Sequence, residues 1–240
     1  MNGWEESAAA WIADLGESGD FGRRYVLDPV MLARVDAARP QRALDVGCGE
    51  GRFCRMLKAR GVEAVGLDPT KALIAEARRR DPAGAYVEGE AASLPFADAS
   101  FDLVVSYLTL IDIPEVAPAI AEMTRVLAPG GRLLIANLNG FNTAGQEIGW
   151  TFDTHGRKEH YRIDGYLRER SAWIEYRNIR ILNHHRPLST YMRLLLDEGL
   201  RLTFFDEPAP VADAPAERAQ DYVRAPWFLV MEWMREASAR

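Results

Sequence analysis

The stretch ALDVGCGEGRF, residues 43–53, decides the reading of this chain. Ala43–Val46 has strand character, passes an acid at Asp45, and runs into a turn with glycine at 47, 49 and 51. Glycine there tolerates positive φ and removes the β-carbons that would hold a ligand off the backbone. A helix is predicted next, Arg52–Arg60. Its first amides have no partner within the helix and suit an anion or carboxylate. Asp68 closes the following strand, 21 residues after Gly47. An acid at that place can accept from both hydroxyls of a ribose. The stretch therefore predicts a site for a nucleoside-containing ligand at the end of a βαβ unit.

Outward from this turn, strand and helix patterns alternate. Ala64–Leu67 reads as strand 2 and Thr70–Arg80 as a helix capped by Thr70. Ala85–Val87 is strand 3, Phe101–Ser106 strand 4, Pro114–Leu127 a helix, residues 129–131 (PGG) a turn, and Arg132–Ala136 strand 5. Short strands joined by helical crossovers predict a parallel, doubly wound sheet. Upstream, residues 4–15 have helical spacing. Asp28 followed by Pro29 reads as an N-cap for a helix over 29–38. Downstream, residues 137–187 are rich in Trp, Tyr, Arg and His, with hairpin signals at Asp164-Gly165 and Arg177-Asn178. Leu188–Glu198 is helical and closed by Gly199. Leu200–Phe205 is a strand, residues 208–219 an Ala/Pro-rich loop, and Trp227–Trp233 a last strand returning antiparallel.

The expected fold is α/β: Rossmann-like and doubly wound, a mostly parallel seven-stranded sheet with an antiparallel last strand and an inserted lid. The expected organisation is an N-terminal helical cap (1–39), the nucleoside-binding core (40–136), the lid (137–187) and a C-terminal completion of the sheet (188–240). In such a sheet the segments after the strands converge on one edge, where ligands bind.

Composition narrows the function. The chain has 240 residues, 48% of them hydrophobic, and a net charge of −6, which argues against broad phosphate-backbone binding. Its two cysteines, Cys48 and Cys54, do not form a disulfide framework. No apolar stretch reaches the roughly 18 residues of a membrane span. A cytoplasmic protein is expected, with no membrane partner. No cluster of metal-ligand type stands out, and no metal is expected.

A dinucleotide fingerprint is G-x-G-x-x-G, but its third glycine would fall at Arg52. The pattern here is G-x-G-x-G with Asp45 before it. It resembles the first motif of the class I S-adenosylmethionine (SAM)-dependent methyltransferases, in particular the small-molecule group related to the ubiquinone/menaquinone-biosynthesis enzymes. VGLDPT (65–70), EGEAASLPFADASFDLVVS (88–106) and RVLAPGGRLLIA (125–136) are similar to further motifs of that family, in register, over residues 40–140. The resemblance implies SAM as methyl donor. Gly47, Cys48 and Gly49 would lie along its methionine part, with Asp45 orienting the turn. Asp68 would hold the ribose, flanked by Pro69 and Thr70. Glu90 and the Ala91 amide would face the adenine, Ser106 the methionine tail, and Tyr25 would clamp over the ligand. Many relatives carry a histidine in the turn after strand 4; this chain has Ile111 and Asp112 there.

The acceptor is less determined. Ser106-Tyr107-Leu108-Thr109 lacks the (Asn/Asp)-Pro-Pro-aromatic motif of nucleobase amine methyltransferases, so no nucleic-acid partner is expected. The segment HHRPLSTYMRLLLDEGL (184–200) is similar to one in small-molecule relatives, with His185 at the matching histidine. His185 reads either as a polar wall or base in an acceptor pocket or as a group tying the lid to the sheet. Tyr107, directly after strand 4, is the second catalytic candidate. The expectation is a monomer or homodimer that methylates a small organic acceptor at O or N. A non-catalytic SAM-binding module and a nicotinamide-dependent oxidoreductase are the alternatives.

Overall fold

The computed structural model describes residues 2–146 and 149–237. At its centre, β1 (Arg42–Val46), β2 (Glu63–Asp68), β3 (Ala85–Glu88), β4 (Phe101–Tyr107) and β5 (Leu127–Leu138) pair in parallel. Later in the chain come β10 (Leu200–Asp206) and β11 (Phe228–Arg235), and β11 runs antiparallel to both β5 and β10. The seven-stranded order is β10-β11-β5-β4-β1-β2-β3. Helices α3 (Arg52–Lys58) and α4 (Lys71–Arg80) link the first three strands, and α5 (Val116–Val126) precedes β5. From β1 the chain winds outward through β2 and β3, then crosses back to β4. The reversal lies between β1 and β4, and the crevice at the carboxyl ends of those strands is where this class of sheet binds ligands.

The strands are apolar because both faces are covered. Leu44, Val46, Val104, Leu133 and Trp233 pack on one side of the sheet, and Ala43, Leu103, Val105, Leu134 and Val230 on the other. Before the sheet, α1 (Trp4–Leu15), a five-residue π-helical turn (Arg23–Leu27) and α2 (Asp28–Ala38) form one arm. After β5 come α6 (Gly140–Gly145), the hairpin β6 (Trp150–Phe152) and β7 (Lys158–Tyr161), and the hairpin β8 (Arg170–Tyr176) and β9 (Ile179–His185). Then α7 (Leu188–Asp197) leads to β10, and α8 (Ala216–Arg224) lies between β10 and β11.

The sheet and its antiparallel last strand agree with the sequence; several local expectations do not. Asp28 is not an N-cap, because the π-helical turn continues directly into α2 and leaves no free amide to cap. Its carboxylate turns inward to Arg52 and Tyr107 instead. The PGG segment is not a separate turn: it lies within β5, where the register against β4 shifts between Phe101 and Leu103. Asp164-Gly165 is not a hairpin turn but part of the connection from β7 to β8. The turn between β6 and β7 is made at Asp153, whose Oδ1 accepts from the amides of His155 and Arg157 at 2.8 and 2.9 Å. Arg177-Asn178 does turn the β8–β9 hairpin, with φ of 47° and 65° at the two residues, as a type I′ turn requires. The end of the Ala/Pro-rich loop belongs to α8, which buries no residue fully and so carries a weak apolar signature.

Strand β9 sits on the turn after β4. The His184 amide donates to Ile111 O at 2.7 Å, and the Leu182 amide to Asn2 O at 2.9 Å. Ser7 Oγ in α1 donates to Arg180 O at 3.0 Å and accepts from the Arg180 amide at 2.9 Å. The N-terminal arm and the β8–β9 hairpin thus meet over the carboxyl edge of the sheet.

Candidate active site

The glycine turn curls back onto β2. The amides of Gly47 and Cys48 donate to Leu67 O at 2.7 and 3.0 Å, and the Gly49 amide to Asp68 Oδ2 at 2.9 Å. These amides are therefore engaged inside the protein. What the turn offers a ligand is bare α-carbon surface. Gly47 has φ of 75°, and a β-carbon there would sit 2.1 Å from Thr109 Cγ2. At Gly49 a β-carbon would meet nothing within 4 Å, so it points into open space. Asp68 Oδ1 accepts from the Thr70 amide at 2.8 Å. Burial pushes the Asp68 carboxyl upward, opposed by these two amide bonds. It pairs with no cation among the described residues, and its oxygens keep lone pairs for further donors.

Gly47, Gly49, Asp68, Pro69, Thr70, Glu90, Ala91 and Tyr107 line one cavity of about 220 Å³. Asp45 and Cys48 lie behind the turn, on a smaller cavity of about 60 Å³ that also touches Gly47, Gly49 and Tyr107. Burial raises the Asp45 carboxyl to about 7; one oxygen takes the Cys54 thiol at 3.5 Å, and the other finds no partner among the described residues. A third cavity, of about 520 Å³, is walled by Phe21, Tyr176, Tyr222, Trp227 and Phe228. Trp4, Trp11, Arg23, Leu108 and Asp112 line both it and the first. Leu108 takes φ of 57°, a conformation that costs a branched side chain energy and clusters at functional sites.

Three expected site residues lie elsewhere. Ser106 is fully buried in the sheet, off the cavity walls. Tyr25 packs on Phe21, with ring centroids 5.2 Å apart, and lines none of the three cavities. His185 lines none of them either. Its Nε2 donates to Tyr166 O at 2.9 Å, which leaves Nδ1 to accept from Thr143 Oγ1 at 2.6 Å. Burial depresses its pKa. With both nitrogens occupied, the ring ties α6 to the following loop. Tyr107 does reach the cavity, but its hydroxyl donates to Asp28 at 2.8 Å, and burial with that carboxylate beside it drives its pKa up.

The residue that breaks the dinucleotide fingerprint has its own work. Arg52 forms a buried, two-pronged ion pair with Asp28 and donates to Ser18 O at 2.7 Å. It fastens the N-terminal arm over the glycine turn. That arm carries Trp4, Trp11 and Arg23, which the sequence reading missed. The helical spacing of the two tryptophans signalled only one side of a helix. Asp112 was also passed over as a site residue, although its place in the turn after β4 marked it as unusual.

The sheet is doubly wound, and its cavities lie at the carboxyl edge of the strands. Residues 44–135 match a family profile described as a methyltransferase domain. A malonyl-[acyl-carrier protein] O-methyltransferase of Serratia marcescens is 30% identical over 203 residues, 81% of this chain and 72% of that protein. The chain belongs to the class I SAM-dependent methyltransferases. A demethylmenaquinone methyltransferase of Beutenbergia cavernae is 38% identical over 137 residues, 52% of this chain and 57% of that protein. The chain spans about half the length of several curated relatives it matches, 57%, 43% and 47% of three of them. A SAM-dependent methyltransferase of Mesorhizobium loti superposes with a TM-score of 0.76 at 26% identity, over 92% of this chain and 100% of that one. Among the described residues no helix is long and apolar enough to cross a membrane.

Proposed function

We propose that the chain transfers the methyl group of SAM to oxygen or nitrogen of a small organic acceptor, by in-line displacement in a pocket closed by residues 137–187. The observation that supports this is that cavities of about 220 and 520 Å³ lie side by side at the carboxyl edge and have five lining residues in common. The site fits the donor. Asp68 is a buried acceptor that pairs with no cation among the described residues and suits two ribose hydroxyls. The space beyond Gly49 is the kind a bound ligand fills. Pro69 and Thr70 flank the ribose end, Glu90 and Ala91 the adenine, and Gly47 with Gly49 the methionine part; Asp45 and Cys48 back the turn. When bound, SAM supplies a methyl group activated by its sulfonium. The residues hold two reactants in line and exclude water, effects that together contribute several kcal/mol.

The closure includes more than residues 137–187. Arg224 of α8 donates to Lys158 O at 3.0 Å and Glu159 O at 2.6 Å, so α8 and the β6–β7 hairpin act as one cover. The two relatives differ in the acceptor their names give and share methyl donation. We read the chain as a cytoplasmic monomer or homodimer without a nucleic-acid substrate. Calorimetry with SAM and S-adenosylhomocysteine (SAH) tests the donor. Labelled SAM with a metabolite extract, followed by mass spectrometry, tests the acceptor. Failure of both SAM and SAH to bind overturns the reading. Binding without SAH production on any acceptor identifies a non-catalytic SAM-binding module instead.

A further inference from the structure

We infer that Asp112 takes the proton from the hydroxyl group of an aromatic acceptor, and that Asn183 aims its carboxylate. The inference rests on the methyl-transfer reading above. Five residues line both larger cavities: Trp4, Trp11, Arg23, Leu108 and Asp112. Of these only Asp112 can receive a proton at ordinary pH, since arginine stays charged and carries no acceptor. Residues common to a donor cavity and an acceptor cavity border the path of the transferred methyl group.

The carboxyl is held in place by side chains of β9 and the end of α6. Asn183 Nδ2 in β9 donates to Asp112 Oδ1 at 2.6 Å, and Gln146 Nε2 donates to Asn183 Oδ1 at 3.4 Å, which fixes the amide orientation. The Trp4 side chain acts on the same carboxyl and favours its charged form. The backbone of the turn is clamped from the same strand end. Arg186 donates to Leu110 O at 3.0 Å and to Ile113 O and Pro114 O, each at 2.8 Å. Asn183 lies on β9 and Arg186 directly after it, so the base is complete only when that hairpin is seated.

The charged and titratable groups facing Asp112 are few. Arg23 from the π-helical turn lowers its pKa, Asp68 from β2 raises it, and Tyr176 of β8 and Tyr191 of α7 feel its charge. Burial outweighs the rest and brings the carboxyl up to about 8. An acid near neutrality, once ionised, is a base matched to a weakly acidic hydroxyl. The walls select the acceptor's body: Phe21, Tyr176, Tyr222, Trp227 and Phe228 offer ring faces to an aromatic molecule. In the step, the O–H bond breaks as the carbon–oxygen bond forms. The proton goes to an Asp112 oxygen, and the electron pair of the donor's broken carbon–sulfur bond stays on sulfur. Charge balances: a cationic donor and a carboxylate become a neutral thioether and a carboxylic acid.

Two phenols test it on the SAH- or SAM-loaded protein. The p-cresol hydroxyl must lose its proton during reaction, whereas 4-nitrophenol is already ionised at pH 9. With Asp112→Asn, the single-turnover rate on p-cresol near pH 8 should fall by roughly 10²–10⁴-fold, and its pH profile should lose the inflection of the carboxyl. On 4-nitrophenol at pH 9 the same variant should stay within about fivefold, an allowance for altered positioning. Asn183→Ala, with Asp112 intact, should shift the pH midpoint of the p-cresol reaction. Independently of turnover, the carboxyl ¹³C resonance missing from Asp112→Asn should titrate near pH 8 in the SAH complex and shift when p-cresol binds. Equal losses on both phenols overturn the proposal, as does binding of the phenols without turnover or no saturable binding of either. If Asp112→Asn weakens SAH about tenfold or more, the carboxyl serves the donor and the proposal also fails. Failure of the unaltered protein to bind both SAM and SAH overturns the methyl-transfer reading beneath it.

Discussion

The two larger cavities share a wall and are built on opposite plans. The cavity proposed for the donor has one side built at the ends of neighbouring strands: the turn after β1, Asp68 at the end of β2, and Glu90 and Ala91 after β3. Its shape depends on missing side chains and on amides that lock onto Leu67 and Asp68. The acceptor cavity is made of side chains brought from the two ends of the chain and from the insertion, such as Trp11, Leu138, Tyr176, Asn183 and Tyr222. A pocket of backbone tolerates few changes and fixes one ligand. A pocket of side chains can be refitted residue by residue without disturbing the sheet. The difference teaches where to look for constancy and where for specificity.

The sharpest break is Gly47→Ala. Its β-carbon would lie 2.1 Å from Thr109 Cγ2 at a φ of 75°, so both sterics and backbone resist it. SAH affinity by calorimetry should fall at least about a hundredfold, roughly 2.8 kcal/mol. Gly49→Ala has no protein neighbour within 4 Å. It should leave thermal stability nearer the parent's and act mainly through the ligand. If the two variants match in both stability and SAH affinity, the turn is not the backbone cradle described. Next comes Asp68→Ala. It removes the acceptor for the Gly49 and Thr70 amides as well as the proposed ribose contact. SAH binding should weaken by more than about tenfold, as for loss of a charged acceptor. An unchanged dissociation constant would move the ribose elsewhere.

These plans explain what the sequence made legible. The donor cavity follows from contiguous motifs: a glycine turn, an acid one βαβ step later, and strands whose order is limited by right-handed crossovers. Gly47, Asp68 and Glu90 could be placed on one edge before any coordinates. The acceptor cavity has no such local code. Trp4 and Trp11 read as the apolar face of a helix, and only the docking of α1 on β9 turns them to the junction. His185 attracted attention through a resemblance, while its neighbours Asn183 and Arg186 hold the turn after β4. Asp28 has the sequence pattern of a cap; a buried arginine 24 residues away claims it. Long-range pairs of this kind are set by tertiary packing, which local propensity does not contain.

The opposite plan predicts a separable response on the acceptor side. Tyr222 lines the larger cavity and not the donor one, stacked 5.9 Å from Phe228 and 5.3 Å from Trp227. Tyr222→Ala should raise the acceptor KM by about five- to twentyfold, consistent with one lost aromatic contact of roughly 1–2 kcal/mol. SAH binding should change by less than about twofold, because α8 sits away from the glycine turn. A variant that weakens SAH as much as the acceptor would mean the cavities are coupled as one site.

The smallest effect joins the two regions through their buried acids. Asp45 behind the donor turn is raised to about 7, and Asp112 at the junction to about 8, both chiefly by burial. Unfolded aspartates titrate near about 3.9. Between that value and the folded ones, the unfolded chain has released protons that the folded chain still holds. Stability therefore falls as pH rises through this window, and the decline levels off above about 8. Carboxylates held low by arginine, such as Glu232 beside Arg34 and Arg132, lose stability at the acid end instead. The optimum should lie on the acid side of neutrality. Each kcal/mol retained moves the melting temperature by roughly 2–4 °C in a chain of this size. Asp45→Asn and Asp112→Asn should each flatten the decline between pH 5 and 8, measured by differential scanning fluorimetry. Asp45→Asn should act on the lower part of the window and Asp112→Asn up to its top. SAH should protect more against the decline in Asp112→Asn than in Asp45→Asn if the donor turn and the junction are as independent as their construction implies.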